Sequence, residues 1–206
     1  RQKNYFLTAD WVENLSSSDV LLDLGSGPLT NSPLFRNLDT VIYVDGAKFE
    51  GINIVCDFTK CLPVKDSSID AIICSNVLEH LPEPQTVFNE IERILKPGGQ
   101  CLILVPFMIK LHQEPYDFHR YTKHALNHYS ERSGLHVDQI KEVGGISNIL
   151  GTIYNVALKE QRSWAALLGL RFQYLIWRVI RRFIGDEGPS QVLPQGYALY
   201  LSKSLN

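Results

Sequence analysis

The sequence predicts an α/β fold: a doubly wound, mainly parallel seven-stranded sheet forming one domain over 1–206, with a helical insertion before the last strand. Three observations carry that expectation. Short apolar runs alternate with helix-period segments, the pattern of βαβ units. Val20 to Leu22 is apolar at consecutive positions, as a strand covered on both faces requires, and it runs into a turn containing Asp23, Gly25 and Gly27. A second run, Val41 to Val44, ends in Asp45 about 20 residues later, where such sheets place the acid that takes a nucleoside's ribose.

The elements follow in order. Residues 1–19 read as a helix, with Phe6, Leu7, Trp11 and Leu15 at helical spacing, broken by Ser16 to Asp19 before the first strand. Asn31-Ser-Pro33 has the chemistry of a helix start, Pro33 being tolerated in a first turn, so the first crossover helix is expected there. Ile52 to Val55 gives a third strand closing at Cys56-Asp57, and Ile69 to Cys74 a fourth leading into Ser75-Asn76. Glu83 to Leu95 is a helix with Val87, Ile91, Ile94 and Leu95 on one face, stopped by Lys96-Pro-Gly-Gly99. Cys101 to Val105 is a fifth strand, Thr122 to Arg132 a helix closed by Gly134, His136 to Val143 a sixth strand and Tyr197 to Ser202 a seventh. Between the last two lie a helical insertion, 146–190, and a loop from Gly185 to Gln195. That is far longer than the usual connection of about 2–6 residues.

A content of 45% hydrophobic and 20% charged residues is ordinary for a globular domain, and a net charge of −2 gives no global pull toward nucleic acid. Cys56, Cys61, Cys74 and Cys101 form no C-x-x-C pair, and three of them sit in or at the end of strand-like runs. They read as small hydrophobes in a reducing, cytoplasmic compartment. The sequence shows no secretory leader and no apolar run of transmembrane length.

Asp23 and Leu29, which stands where a third glycine would serve a dinucleotide, argue against a pyrophosphate: a carboxylate would face it where backbone N–H groups are needed. A cationic nucleoside without phosphates fits, and S-adenosylmethionine (SAM) is the candidate cofactor. The stretches V-L-L-D-L-G-S-G (20–27), Y-V-D-G-A (43–47), C-D-F-T-K-C-L-P-V-K-D-S-S-I-D (56–70), S-N-V-L-E-H-L-P-E-P (75–84), I-E-R-I-L-K-P-G-G (91–99) and H-x-x-x-Y-D-x-x-R-Y-T (112–122) then resemble, in order and spacing, the class I SAM-dependent methyltransferases of the type 11 group. The resemblance implies their Rossmann-like fold and transfer of a methyl group from SAM to an acceptor. It implies that Asp23, Gly25 and Gly27 hold the methionine end, that Asp45 accepts from both ribose hydroxyls, that Asp57 binds the adenine amino group with Phe58 near the ring, and that Asn76 lies near the sulfonium.

After the fifth strand comes a dense set of titratable and aromatic groups: His112, Glu114, Tyr116, Asp117, His119, Arg120 and Tyr121. Such a loop at the active edge reads as a substrate lip, with His112, Asp117 and Arg120 as catalytic candidates and His112 as first choice of base. Asp117 and Arg120 have a second reading, as an ion pair pinning the loop, and His80 is the next candidate base. No metal site is expected. His124 and His128 share the i, i+4 spacing of a helical ligand pair near His119, but no H-E-x-x-H pattern accompanies them, and a solvated helix face explains them.

Trp164 to Ile184 separates on a helical wheel into an arginine face and an apolar face. Residues 159–184 carry Lys159 and five arginines against Glu160, a net +5 that leaves −7 for the rest. The stretch admits three readings: a lid whose apolar face closes the acceptor pocket, a homodimer contact, or a peripheral membrane element. The expected partner is a small-molecule acceptor: a metabolite, a glycan or a lipid-linked intermediate. Nucleic acid is disfavoured, since no N-P-P-Y or D-P-P-Y follows the fourth strand. The competing reading is a SAM-binding regulatory or assembly module without catalysis.

Overall fold

Strands alternate with helices as the apolar periodicity requires, and the computed structural model describes residues 2–28, 32–184 and 189–205. Helix α1 (Gln2–Val12) precedes β1 (Val20–Leu24) and β2 (Thr40–Asp45), and β3 is the short Ile54–Val55. Then come β4 (Ile69–Ser75), α2 (Pro84–Ile94), β5 (Leu95–Pro106), α3 (Lys123–Ser133), β6 (His136–Val143), the helices α4 (Ile146–Glu160) and α5 (Trp164–Ile184), and β7 (Gly196–Ser202). The strands form one seven-stranded sheet in the order β3-β2-β1-β4-β5-β7-β6. Every pair from β3 to β5 is parallel, while β7 runs antiparallel to both β5 and β6.

The consecutive apolar residues of the central strands divide between the two faces, as the period of two demands. Leu22, Leu24, Ile72, Cys74, Cys101, Ile103 and Val105 pack with Val87, Phe88, Ile91 and Ile94 of α2 and with Leu126 of α3. Leu21, Ala71, Ile73, Leu102 and Leu104 pack on the other face with Trp11 and Val12 of α1. Thr122 caps α3, its hydroxyl accepting from the Ala125 N–H at 3.2 Å, and Gly134 closes that helix in the left-handed region.

Two elements differ from expectation. The helix start at Ser32-Pro33 opens only a single 3₁₀ turn, Pro33–Phe35, in place of a crossover α-helix. Ser32 does cap it, accepting from Leu34 N–H at 3.4 Å, but β2 begins at Thr40 and leaves no chain for further turns. Leu29 and Asn31 lie outside the described residues, as do residues 185–188 of the expected loop. The Lys96-Pro-Gly-Gly99 stop is itself part of β5, held to the far end of the chain where Gly98 N–H donates to Lys203 O at 2.9 Å and Lys203 N–H to Gly99 O at 2.9 Å.

Strand order reverses between β1 and β4, which lie side by side while β2 leads away on one side and β5 on the other. An open sheet binds ligands in the crevice beyond the carboxyl ends of its strands at that switch point. The ends there are Leu24 and Ser75.

Candidate cofactor and acceptor site

Asp23 sits one residue before the end of β1, 9% exposed, with its carboxyl group raised from 3.8 to about 7 by burial and by the neighbouring Asp45 charge. Two acids crowded at a strand edge are costly alone and are relieved by a cation or by hydroxyl donors. Asp45 is fixed from both sides, its Oδ2 accepting from Gly27 N–H and its Oδ1 from Ala47 N–H, both at 2.8 Å. Each oxygen keeps lone pairs for a further donor. Asp57, exposed past β3, accepts from the N–H (2.9 Å) and hydroxyl (2.7 Å) of Thr59, and these bonds hold its carboxyl below the usual range. Asn76, at φ 55° after β4, is exposed, and its N–H donates to Leu104 O at 2.8 Å. Phe58 is 8% exposed in the core beneath this edge. The acids Asp23, Asp45 and Asp57 thus stand at or just past the ends of β1, β2 and β3, a hydrogen-bond-accepting set suited to hydroxyls and cationic nitrogen.

Gly25 has φ 80°, and a Cβ there would overlap the Val77 side chain just after β4. A side chain at this position is therefore excluded by the turn's own packing. Gly27, at φ 58°, has open space where a Cβ would stand.

The chain after β5 folds back over the chain after β4. Phe118 N–H and His119 N–H both donate to Glu79 O, at 2.8 and 3.2 Å, and Tyr121 Oη donates to Leu78 O at 2.8 Å. Asp117 organises this loop: its Oδ2 accepts from His112 N–H at 2.9 Å, and both its oxygens accept from Arg120, at 2.6 and 2.8 Å. The guanidinium bonds hold the Asp117 carboxyl well below the usual range. Asp117 and Arg120 therefore pair and pin the loop, and Asp117 also stands 3.3 Å behind Nδ1 of His112. Burial lowers the His112 pKa from 6.5.

One residue escaped sequence reasoning. Glu79 is fully buried, its carboxyl raised from 4.5 to about 7 by burial, and its Oε1 lies 3.6 Å from His112 Nε2 and 3.7 Å from His80 Nε2. Neither carboxyl oxygen finds a hydrogen-bond partner among the described residues. His80 Nδ1 meets Tyr116 O at 2.6 Å, and the two imidazoles stack edge-on with centroids 4.8 Å apart. The signal was an acid inside the apolar run Val77-Leu-Glu-His-Leu81. Glu79, His80 and His112 also offer ligand atoms within 4.8 Å of one another, the one such set among the described residues. His124 and His128 are exposed on α3 and belong to no such set.

A cavity of about 510 Å³ opens beside this cluster, lined by Lys110, Leu111, His112, Gln113 and Glu114 from the loop and Val156, Lys159 and Glu160 from α4. His112 is the member shared by cavity and cluster. α5 does not line the cavity, and one apolar stripe on it is exposed: Trp164 is 75% exposed, Phe172 64% and Leu168 56%. The helix expected as a lid thus contributes no residue to this cavity. α5 packs on α4 through Tyr174 and Trp177 against Tyr154 and Gly151, so the side expected to close the pocket points outward.

Residues 22–103 match the family model described as a methyltransferase domain. Cycloartenol-C-24-methyltransferase 1 of Oryza sativa subsp. japonica is 36% identical over 69 residues, 32% of this chain and 20% of that protein. An uncharacterized methyltransferase of Mycobacterium bovis is 30% identical over 110 residues, 52% of this chain and 41% of that protein. The chain thus spans between a fifth and about two fifths of the length of these relatives. An S-adenosylmethionine-dependent methyltransferase from Mesorhizobium loti superposes with a TM-score of 0.61 at 13% identity over 96% of this chain and 97% of that one. The [4+2]-cyclase SpnF does so with a TM-score of 0.63 at 16% identity over 96% and 81%. Strand order, edge acids and the match of residues 22–103 to a methyltransferase domain agree with one another, and the site they form fits SAM as cofactor.

Proposed function

We propose that the protein transfers a methyl group from SAM to a small-molecule acceptor seated in the cavity beside His112. The fold alone does not choose the reaction, as its likeness to a cyclase illustrates, so the reading rests on the site. The cofactor supplies a methyl group already activated for displacement. What remains for the chain is to orient the acceptor, shield it from water and take its proton where the acceptor atom carries one.

The observation that carries this reading is the placement of His112, which lines the cavity while Asp117 stands behind its Nδ1. The Asp117 carboxylate 3.3 Å from Nδ1 favours the tautomer with the proton there, so that Nε2, 3.6 Å from Glu79 Oε1, is the atom to receive one. The lowered pKa keeps the ring neutral near pH 7, as a base requires. Asp117 and Arg120 act as positioning residues, their ion pair fixing the loop that carries His112.

Release of S-adenosylhomocysteine on addition of aqueous metabolite or lipid extracts tests the proposal. His112→Ala should lower turnover about 10²–10⁴-fold while SAM affinity measured by calorimetry holds. If no extract raises release above the acceptor-free background, the catalytic reading falls and the SAM-binding module without catalysis replaces it.

A further inference from the structure

α5 presents two working faces. Leu167, Leu170, Tyr174 and Trp177 are partly buried on the side that meets α4, where Trp177 lies against Gly151, with 3.0 Å between the ring and the place a Cβ would occupy. Nearly half a turn round the helix, Leu168, Phe172, Leu175, Ile176 and Val179 form a second apolar stripe at i, i+4, i+7, i+8 and i+11, all exposed, with Trp164 at its head. Arg171, Arg178 and Arg182 are exposed along one edge of that stripe, and no acidic residue occurs anywhere in α5. The neighbouring α4 adds exposed Ile146, Leu150 and Ile153.

From this arrangement we infer that the α4–α5 hairpin docks on an anionic membrane surface and turns the cavity toward an acceptor carried by lipid. A contiguous apolar stripe bordered by arginine is the composition of a helix lying in the headgroup region. No described helix is long and apolar enough to cross a membrane, so α5 lies along the surface. Charge selects the occupant. Residues 159–184 carry +5 against −7 for the rest, so an anionic bilayer attracts this segment in preference to the remainder of the chain. A second copy laid antiparallel, stripe to stripe, would bring arginine edges together with no acid on α5 to answer them. The cavity's α4 wall, Val156, Lys159 and Glu160, lies in the last turns before α5, so docking sets the cavity beside the headgroups.

The lipid-borne acceptor rests on the proposed methyl transfer, whereas docking does not. Co-sedimentation with phosphatidylcholine vesicles, with and without phosphatidylglycerol, measures docking on the full chain. Wild type should pellet with the anionic vesicles only. Joint replacement of Arg171, Arg178 and Arg182 by Glu should lower the partition coefficient by about a hundredfold or more, at roughly 1 kcal/mol per arginine. Phe172→Asp with Ile176→Asp should abolish pelleting. Retained SAM affinity in each variant establishes that the domain is folded. Equal pelleting on neutral and anionic vesicles, or none on either, overturns docking, as does a wild-type dimer that Phe172→Asp converts to monomer without any vesicle binding. S-adenosylhomocysteine release with lipid extract but not aqueous extract supports the lipid-borne acceptor, and release with aqueous extract alone overturns it. Docking with no release from either extract removes the methyl-transfer reading and the lipid-borne acceptor together, and leaves docking in place.

Discussion

The central strands and the α4–α5 hairpin use apolar residues to opposite ends. In β1, β4 and β5 leucine and isoleucine are wholly buried, with Leu22, Ile72 and Leu102 all at 0% exposure, whereas on α5 Leu168 and Leu175 each keep 56% of their surface in water. Burial in the sheet stabilises the fold, at about 25 cal/mol per Å² of apolar surface removed from water. Exposure on the hairpin contributes nothing to that until something covers it. The first region determines that the chain folds and presents its cofactor site, and the second, on the docking proposed above, would determine where it works.

Paired substitutions separate the two. Phe88→Ala, at the fully buried centre of α2, should cost about 3–5 kcal/mol in urea unfolding, the range for deleting a core phenylalanine. Asp23→Asn comes next. Because the folded protein raises this carboxyl from 3.8 to about 7, wild type holds the proton longer than the unfolded chain does and loses stability as pH climbs from about 4 to about 7. Removing the charge should cancel that loss, up to a few kcal/mol above pH 7, flatten the pH profile of the urea midpoint and weaken SAM binding. A variant as pH-sensitive as wild type would show that the strain lies elsewhere.

Asp45→Ala should raise the SAM Kd roughly tenfold or more, the 1.5–3 kcal/mol of a charged hydrogen-bond partner, with vesicle binding unchanged. Calorimetry showing unaltered affinity would remove Asp45 from the ribose site. Phe172→Ala should be the mildest, within about 0.5 kcal/mol of wild type in unfolding, because a residue 64% exposed has little packing to lose. A cost comparable to Phe88→Ala would mean that α5 is core after all.

The sheet was legible because continuous apolar runs ending in Asp23, Asp45 and Asn76 admit few alternatives. Strand direction was not: a strand buried on both faces carries the same run whichever way it points, so β7 gave no sign of being antiparallel. Ser32-Pro33 carried a true start signal, but a signal at one end does not set length. In the site, Asp117 and Arg120 were readable as a pair three residues apart. Glu79 was not, because its meeting with His112 joins distant stretches that only the folded loop brings together. On α5 the periodicity revealed two faces without telling which one another helix covers.

The pairing of β6 with β7 has an entropic and evolutionary consequence. Val143 and Gly196 are registered partners, so everything from 144 to 195 leaves and re-enters the sheet at one place. For a flexible loop, each doubling of length adds only about 0.6 kcal/mol of closure cost, so a long excursion burdens the fold scarcely more than a short one. Selection can lengthen, trim or exchange this segment without disturbing the register around it. A lineage can thereby keep an inherited cofactor machine and change its address.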